Sequence, residues 1–266
     1  MFEPWIYLPR LQNILDAEDI VSVEIEYLLM PQSKGPEILQ TNQEALTWLF
    51  ENLEDTLRGM NPNFRVAWES FNLSGHSFGA RMAFYTLFTI PLHPRKPHDL
   101  RVKTLHGRSP LLENYTRLPG NYMGVAISQV EANTRATTLR SKMRDLEQGR
   151  YIVVKRSGST PPDGMVAAHC TSVSDAEGAT WFDFWGCATM YDLLVTATAL
   201  PEGVKIFLEH GTADINVPWE HTVRAAEMLK AKFPTLDVSY VLHDGMDHGW
   251  DYNRDPSELK GFFDSY

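Results

Sequence analysis

Residues 72–82, NLSGHSFGARM, place Ser77 between two glycines in the pattern G-x-S-x-G. With ordinary frequencies of Gly and Ser, a chain of this length shows that pattern by chance roughly 0.1 times. The neighbouring sequence strengthens the match, because Ser77 comes just after the strand-like run 64–75 and opens a helix-like run that Pro91 ends. A strand, a tight turn and a helix hold a nucleophilic serine in a strained, exposed position, and glycines let the two elements approach closely. The stretch therefore predicts that Ser77 is a catalytic nucleophile.

A serine hydroxyl is a weak nucleophile, so it needs a base, and that base needs an acid that orients it. In a strand–turn–helix setting of this kind the chain order is serine, acid, histidine. Asp214 follows the strand-like run 203–211, and His248 follows the strand-like run 236–245. All three residues thus lie at the C-terminal ends of predicted strands, where open α/β sheets place their sites. The order predicts a triad of Ser77, Asp214 and His248.

Other residues near this triad compete for its roles. Asp244 and Asp247 are close to His248 in sequence, but neighbours on one loop rarely point a carboxylate at the adjacent imidazole. His243 lies at the end of a strand, without a glycine-rich loop to carry it over the serine. His76 adjoins the nucleophile and is expected to line the substrate pocket. The remaining histidines are expected to be structural or superficial: His93, His98, His106, His169, His210 and His221.

Strand-like and helix-like runs alternate along most of the chain, which predicts an α/β fold with a mainly parallel sheet. Residues 19–31 are expected to form a strand and residues 41–53 a helix, which Thr41 and Glu44 open as a capping box. A further helix is expected from Pro218 to about Phe233.

Residues 112–200 interrupt this alternation, so the chain is expected to consist of a core, 1–111 and 201–266, with an inserted cap or lid. A helical piece is expected near 129–147. The segment ATWFDFWG is rich in aromatic side chains, and two interpretations of it are compatible: a small core of the cap, or the lining of an apolar substrate pocket. The candidate pocket residues in it are Trp181, Phe182 and Trp185.

Composition narrows the function classes. The formal net charge of −10 over 266 residues argues against nucleic acid as a partner.

Disulfides, targeting segments and cofactors are not expected from the sequence. The two cysteines, Cys170 and Cys187, imply no disulfide framework. The first residues lack the apolar run of a secretory peptide, and no stretch has the ~18 to 20 apolar residues of a membrane span, so a cytoplasmic protein is expected. No cluster has the spacing of metal ligands, and neither a metal nor another cofactor is expected.

Four segments resemble the α/β-hydrolase superfamily, and within it the fungal-type members of the hormone-sensitive-lipase-like (α/β-hydrolase fold-3) group. They are GHSFG, HGTADINVP, GMDHGW and the run DIVSVEIEYLLMPQSKGPEILQTNQEALTWL. The resemblance extends over nearly the whole chain and is weakest in 112–200, where family members carry a cap. It implies an α/β-hydrolase fold and an ester-bond hydrolase that acts through an acyl-enzyme on Ser77.

The chain departs from that group at one point, because no H-G-G-G-type sequence stands before residue 19. In the family that loop supplies oxyanion-hole N–H groups, and the family's first strands also precede that point. The backbone N–H of Phe78 is the donor that remains, and the loss of one donor typically costs ~100- to 1000-fold in kcat. Three explanations stay open: a chain shortened at its N-terminus by its gene start or its preparation, a natural short form with a rearranged N-terminal edge of the sheet, and a protein that no longer acts as a hydrolase.

The leading hypothesis is an esterase- or lipase-like serine hydrolase that cleaves a small to medium apolar carboxylic ester or lactone. Its activity would be reduced if the oxyanion loop is missing. The alternatives are a ligand-binding protein on a hydrolase frame, and a lyase, isomerase or cyclase of secondary metabolism that uses the same pocket. The expected partner is a small molecule. A sheet edge left open by missing strands would also favour a homodimer.

Overall fold

The computed structural model describes residues 21–28, 33–113, 120–122, 125–134, 137–138 and 189–250. The chain divides into two compact units. The larger unit holds the described residues 43–113 and 189–250, and it contains the main sheet and all three predicted triad residues. The smaller unit holds the described residues 21–28, 33–42, 120–122, 125–134 and 137–138.

Helices and strands alternate along most of the described chain. In order they are α1 (Gly35–Met60), β1 (Phe71–His76), α2 (Phe78–Thr89), β2 (Val102–Arg108), β3 (Gly120–Tyr122), β4 (Val125–Ile127), α3 (Met190–Thr196), β5 (Lys205–Gly211), α4 (Glu220–Lys232) and β6 (Asp237–His243). Two short 3₁₀ turns, Trp68–Ser70 and Ile90–Leu92, precede β1 and follow α2.

The main sheet has four strands in the order β1-β2-β5-β6, and each neighbouring pair is parallel. The expected α/β class, with a mainly parallel sheet flanked by helices, is confirmed. The strands β3 and β4 form a separate antiparallel pair in the smaller unit. Parallel pairing puts the C-terminal ends of β1, β5 and β6 at one edge of the sheet, and Ser77, Asp214 and His248 follow those three ends.

The core of the larger unit lies between one face of the sheet and the helices α2, α3 and α4. Its members are apolar residues at core-facing positions of these elements, and each fully buried one of this size contributes about 1.5–3 kcal/mol. They include Leu105, Ile206 and Leu208 from the sheet and Phe84, Leu87, Met190, Leu194 and Leu229 from the helices. This packing fixes the sheet, and with it the turns that leave its C-terminal edge.

Several expected elements are confirmed with shorter bounds. The run 64–75 yields a strand only from Phe71, because Trp68–Ser70 form a 3₁₀ turn before it. The helix after Ser77 ends at Thr89, two residues before Pro91, as expected from the missing N–H of proline. The late strands and the helix between them correspond to β5, α4 and β6.

The expected strand over 19–31 is wrong where the structure describes it. Residues 21–27 have no regular secondary structure, and Leu28 makes a single bridge. Alternation and β-branching measure how well side chains fit a half-buried sheet, and pairing with a neighbouring strand decides the outcome. Residues 19–20 and 29–31 lie outside the described residues.

The expected start of the first helix is also wrong. The helix α1 begins at Gly35, so Thr41 is an interior residue, and its hydroxyl donates to the main-chain oxygen of Glu37 at 2.9 Å. The carboxylate of Glu37 instead accepts the N–H of Lys34 at 2.9 Å. A carboxylate in the first turn satisfies an N–H left open at the helix start and interacts well with the helix dipole.

In the expected helical piece near 129–147, residues 129–134 and 137–138 are helical, and the others lie outside the described residues. The division into a core and a cap over 112–200 stays a prediction. Within the part of the chain that the structure describes, no helix is both long and apolar enough to cross a membrane.

Candidate active site

Ser77 occupies a strained turn between β1 and α2. Its backbone angles are φ 56° and ψ −120°, a region that side-chain-bearing residues rarely adopt. Two hydrogen bonds to the end of β2 and the segment after it hold the turn: the Ser77 N–H donates to the oxygen of Arg108 at 2.8 Å, and the Leu111 N–H donates to the oxygen of Ser77 at 3.1 Å. Strain of this kind persists only where the surrounding structure fixes it, and it concentrates at functional sites.

The close approach of β1 and α2 explains the first glycine of the motif. A Cβ atom at Gly75 would lie 2.5 Å from the backbone nitrogen of Ala80 and would also meet the backbone of Gly79. No side chain fits there, because these neighbours are main-chain atoms of a helix. Phe78 follows as the first residue of α2, at the helix end where backbone N–H groups face outward.

Asp214 lies three residues beyond the end of β5, in a turn that its own carboxylate closes. Its Oδ1 atom accepts the backbone N–H groups of Asn216 at 2.8 Å and Val217 at 2.9 Å. Its Oδ2 atom lies 2.7 Å from Nδ1 of His248. The carboxylate is fully buried, whereas the side chain of His248 is 17% exposed. The structure thus brings the predicted acid and the predicted base into hydrogen-bonding contact.

Burial of Asp214 works against its ionisation. The hydrogen bonds from His210 and His248 and that from the Val217 N–H outweigh the burial, so the pKa of Asp214 lies well below its usual range. The carboxylate is therefore charged at neutral pH. A charged acceptor at Nδ1 fixes the His248 tautomer that leaves Nε2 free of its proton, as a general base requires.

His76 connects the Ser77 turn to the loop that carries His248. Its Nε2 atom lies 2.9 Å from the main-chain oxygen of His248, and the two imidazole rings have their centres 4.7 Å apart. Because a carbonyl oxygen only accepts, Nε2 of His76 carries a proton. His76, which was expected to line the pocket, thus contacts the candidate base. Because His76 directly precedes Ser77, this contact brings the loop of His248 close to the serine in the chain.

The competing residues are engaged elsewhere. Asp244 accepts the hydroxyl proton of Thr212 at 3.1 Å, and Asp247 accepts the N–H of Gly249 at 3.0 Å. His243 has its Nε2 atom 3.0 Å from Oε1 of the buried Glu209. None of these contacts leads to Asp214, which agrees with the choice of Asp214 and His248.

Sequence reasoning missed His210, which was expected to be structural or superficial. Its ring is fully buried, and its Nε2 atom lies 3.0 Å from Oδ2 of Asp214. The signal was present: His210 lies on β5 four residues before Asp214, at a core-facing position of the strand, and a buried imidazole must have its N–H satisfied.

The pocket candidates Trp181, Phe182 and Trp185 lie outside the described residues. Within the described ranges, no group of three or more histidine, cysteine or acidic side chains is arranged to hold a metal ion. The described site contains an imidazole, that of His248, oriented by a buried carboxylate, and the N-terminal end of α2 directly after Ser77, which are two features that a general base and an oxyanion site require.

No protein-family model matches this chain, and no curated protein matches it. Solved structures do resemble it. A protein of unknown function from Staphylococcus aureus subsp. aureus Mu50 is 13% identical over 91% of this chain, with a TM-score of 0.49. Esterase Est2 of the planctomycete Thermogutta terrifontis is 17% identical over 89%, with a TM-score of 0.43. Esterase B from Lactobacillus rhamnosis is 11% identical over 90%, with a TM-score of 0.48.

This chain spans 75%, 65% and 62% of the lengths of those three chains, so it covers less than two thirds of both esterases. At these identities and TM-scores the likeness adds no argument about activity. The α/β-hydrolase fold expected for the chain rests on its own features. These are the parallel order β1-β2-β5-β6, the strand–turn–helix at Ser77, and the positions of Asp214 and His248 after β5 and β6.

Proposed function

We propose that this chain is a serine hydrolase that cleaves a small to medium, apolar carboxylic ester or lactone through an acyl-enzyme on Ser77. The observation that carries the proposal is the 2.7 Å contact between Nδ1 of His248 and Oδ2 of Asp214. The strained turn at Ser77 and the contact between His76 and His248 support it, because they put a serine and an oriented imidazole at one edge of the sheet.

In the proposed reaction His248 takes the proton of the Ser77 hydroxyl while Oγ attacks the ester carbonyl carbon. The carbonyl π electrons move to oxygen, and the N–H of Phe78 stabilises the resulting oxyanion. Collapse of this intermediate breaks the bond to the alkoxy group, which leaves with the proton from His248. Water then attacks the acyl-enzyme with His248 as base, which releases the carboxylic acid and restores Ser77.

The apolar character of the proposed substrate has support on the described loops of the site. Ile215 follows Asp214 directly and is 66% exposed, and Met246, two residues before His248, is 49% exposed. Large apolar side chains on the two loops that carry the acid and the base are suited to contact an acyl or alkyl group. Trp181, Phe182 and Trp185 remain candidate pocket residues by sequence alone.

Hydrolysis of p-nitrophenyl acetate and butyrate tests the proposal when wild type is compared with Ser77→Ala. We expect a loss of at least about a thousandfold in kcat, since the base and the acid act only through the serine. Ser74→Ala, which changes an exposed serine of β1 three residues away, is the matched control. Equal turnover by wild type and Ser77→Ala would remove Ser77 from the mechanism.

A fluorophosphonate probe separates the proposed hydrolase from the alternatives. Labelling of wild type that is lost in Ser77→Ala reports an activated serine and supports an acyl-enzyme. A chain that is neither labelled nor active on esters would be the ligand-binding protein. A chain that turns over a substrate without any covalent adduct on Ser77 would be the lyase, isomerase or cyclase.

A further inference from the structure

The buried ring of His210 makes contacts at both of its nitrogen atoms. Nε2 lies 3.0 Å from Oδ2 of Asp214 and 3.0 Å from the main-chain oxygen of Val217. Nδ1 lies 2.6 Å from Oγ1 of Thr222, on α4. Both His210 and Thr222 have no exposed surface, so water does not compete for these contacts.

These contacts determine where the proton of His210 lies. A carboxylate oxygen and a carbonyl oxygen can only accept, so Nε2 must donate, and its N–H is shared between Asp214 and Val217. In the neutral ring Nδ1 is then an acceptor, and the partner with a proton to give is the hydroxyl of Thr222. The oxygens of Asp214 and Val217 therefore select the Nε2–H tautomer, and the hydroxyl of Thr222 is the donor that this tautomer needs at Nδ1.

The Nε2–H of His210 completes the hydrogen bonding of the Asp214 carboxylate. Oδ1 accepts two backbone N–H groups, and Oδ2 accepts one imidazole N–H from His210 and one from His248. Each oxygen is thus held from two directions, which fixes both the plane of the carboxylate and the position of Oδ2. A carboxylate free to rotate would offer His248 several acceptor positions in place of one.

We infer that His210, whose Nδ1 atom accepts the hydroxyl of Thr222, is a positioning residue that fixes Oδ2 of Asp214 in place for His248. The inference rests on the proposed function of Ser77, Asp214 and His248 and deepens it. His210 touches neither substrate nor nucleophile in this role. Its effect on the rate passes through the orientation of Asp214, and small misplacements of catalytic groups have large effects on rate.

Thr222→Val tests the hydroxyl with little change of side-chain shape. Without the Thr222 hydroxyl, Nδ1 of His210 is a buried acceptor with no donor in that position, and the ring loses the contact that holds it to α4. We expect kcat to fall about tenfold while KM changes less than about twofold, because orientation of the base matters in the chemical step. Thr222→Ser keeps the hydroxyl and should restore most of kcat.

The chain offers a matched control for this substitution. Thr47 and His93 form another threonine–histidine pair, with Oγ1 3.2 Å from Nε2. His93 follows the C-terminal end of α2, whereas Ser77 precedes its N-terminal end, so the twelve-residue helix separates the two by about 18 Å. Thr47→Val should leave kcat unchanged. Equal losses in Thr222→Val and Thr47→Val would overturn the inference, since both would then report general destabilisation.

Substitutions of His210 itself give an independent comparison. His210→Gln keeps an N–H donor near the position of Nε2, whereas His210→Met fills similar volume without a donor. We expect kcat to fall about 10- to 100-fold in His210→Met and only about threefold in His210→Gln. Equal kcat values in the two variants would show that volume alone matters, and would overturn the assignment.

Imidazole ¹⁵N NMR of the full chain separates failure of this inference from failure of the proposed function. We expect the His210 spectrum at neutral pH to show a protonated Nε2 and an unprotonated Nδ1. We also expect the Nδ1–H resonance of His248 to shift in Thr222→Val and to stay in place in Thr47→Val.

If Ser77→Ala retains wild-type turnover, the proposed function is wrong, but these spectra still test the position of His210 and its effect on His248. A His210 protonated at Nδ1, or an unshifted His248 resonance in Thr222→Val, would overturn the inference.

Discussion

His76 and His248 are 172 residues apart in sequence, yet Nε2 of His76 lies 2.9 Å from the main-chain oxygen of His248. The contact joins the last residue of β1, which precedes Ser77, to the loop that follows β6. A loop residue held by one side chain and by its own contact with Asp214 has little freedom to leave the site. The contact thus ties the loop of the candidate base to the residue that directly precedes the candidate nucleophile.

His76→Leu removes the donor to the His248 oxygen while keeping an apolar side chain in the same place. We expect kcat for p-nitrophenyl butyrate to fall about fivefold or more, because one hydrogen bond to a loop is worth about 1 kcal/mol. His76→Gln, which keeps a donor, should retain kcat within about threefold of wild type. If leucine and glutamine variants lose activity equally, the contact does not hold the loop.

Gly75→Ala should prevent the close approach of β1 and α2. The new Cβ would lie 2.5 Å from the backbone nitrogen of Ala80, and neither the strand nor the helix can move away without breaking the turn at Ser77. We expect a loss of more than about 3 kcal/mol in the free energy of unfolding, at the upper end of single substitutions, measured by urea denaturation.

Gly59→Ala is the control for this prediction. Gly59 lies near the end of α1, and a Cβ there would meet nothing within 4 Å. Alanine is the better helix former, so this variant should gain up to about 1 kcal/mol. A Gly75→Ala variant as stable as wild type would show that the turn at Ser77 is less constrained than its backbone contacts indicate.

Gly211→Ala should act on the loop of the candidate base. A Cβ at the end of β5 would lie 2.7 Å from the carbonyl carbon of Met246, and Met246 is two residues before His248. The displaced loop would separate His248 from Asp214, so we expect the rate of fluorophosphonate labelling to fall about 10- to 100-fold. A labelling rate equal to that of Gly59→Ala would contradict this expectation.

The sequence was sufficient to predict the residues whose order along the chain carries information. Ser77, Asp214 and His248 each follow a strand of a parallel sheet, and parallel strands end at one edge, so order alone predicts that they come close. The parallel sheet followed from the alternation of strand-like and helix-like runs in the same way.

The sequence was not sufficient where a tertiary contact decides the outcome. The alternating run 19–31 resembles a strand, but residues 21–27 are irregular, because pairing and not pattern makes a strand. Thr41 and Glu44 have the spacing of a capping box, but the helix begins at Gly35, six residues before Thr41, where the carboxylate of Glu37 accepts the N–H of Lys34. The strand pattern shows that His210 faces the core, but its contacts with Asp214 and Thr222 depend on how the chain turns from β5 to α4, which the pattern does not specify.

Asp214→Asn should change how stability depends on pH. The pKa of Asp214 is lower in the folded chain than the ~3.9 of an unfolded aspartate, so its charge stabilises the fold above about pH 4. That stabilisation is lost as the pH falls below about 4 toward the pKa of the folded state. We therefore expect wild type to exceed Asp214→Asn in unfolding free energy most at about pH 6, and the gap to narrow at about pH 3.

Urea denaturation at several pH values measures this gap. Asp237→Asn, at the exposed start of β6, removes the same formal charge from the surface and should give a small difference throughout. A gap between wild type and Asp214→Asn that is constant from about pH 6 to about pH 3 would contradict the lowered pKa.

Ser77→Gly should stabilise the chain relative to Ser77→Ala, because the serine backbone is strained. Its φ of 56° and ψ of −120° are the angles of the second residue of a type II′ turn, a position that glycine dominates. Both variants lack the hydroxyl and should be inactive, so a difference between them reports the stability of the turn alone. We expect Ser77→Gly to exceed Ser77→Ala by about 1–2 kcal/mol in unfolding free energy. At Ser74, a strand position without positive φ, glycine should instead be less stable than alanine, by about 0.5–1 kcal/mol. If glycine were less stable than alanine at both positions, the backbone conformation of Ser77 would not be strained, and the positive φ of Ser77 would not lower the free energy of unfolding.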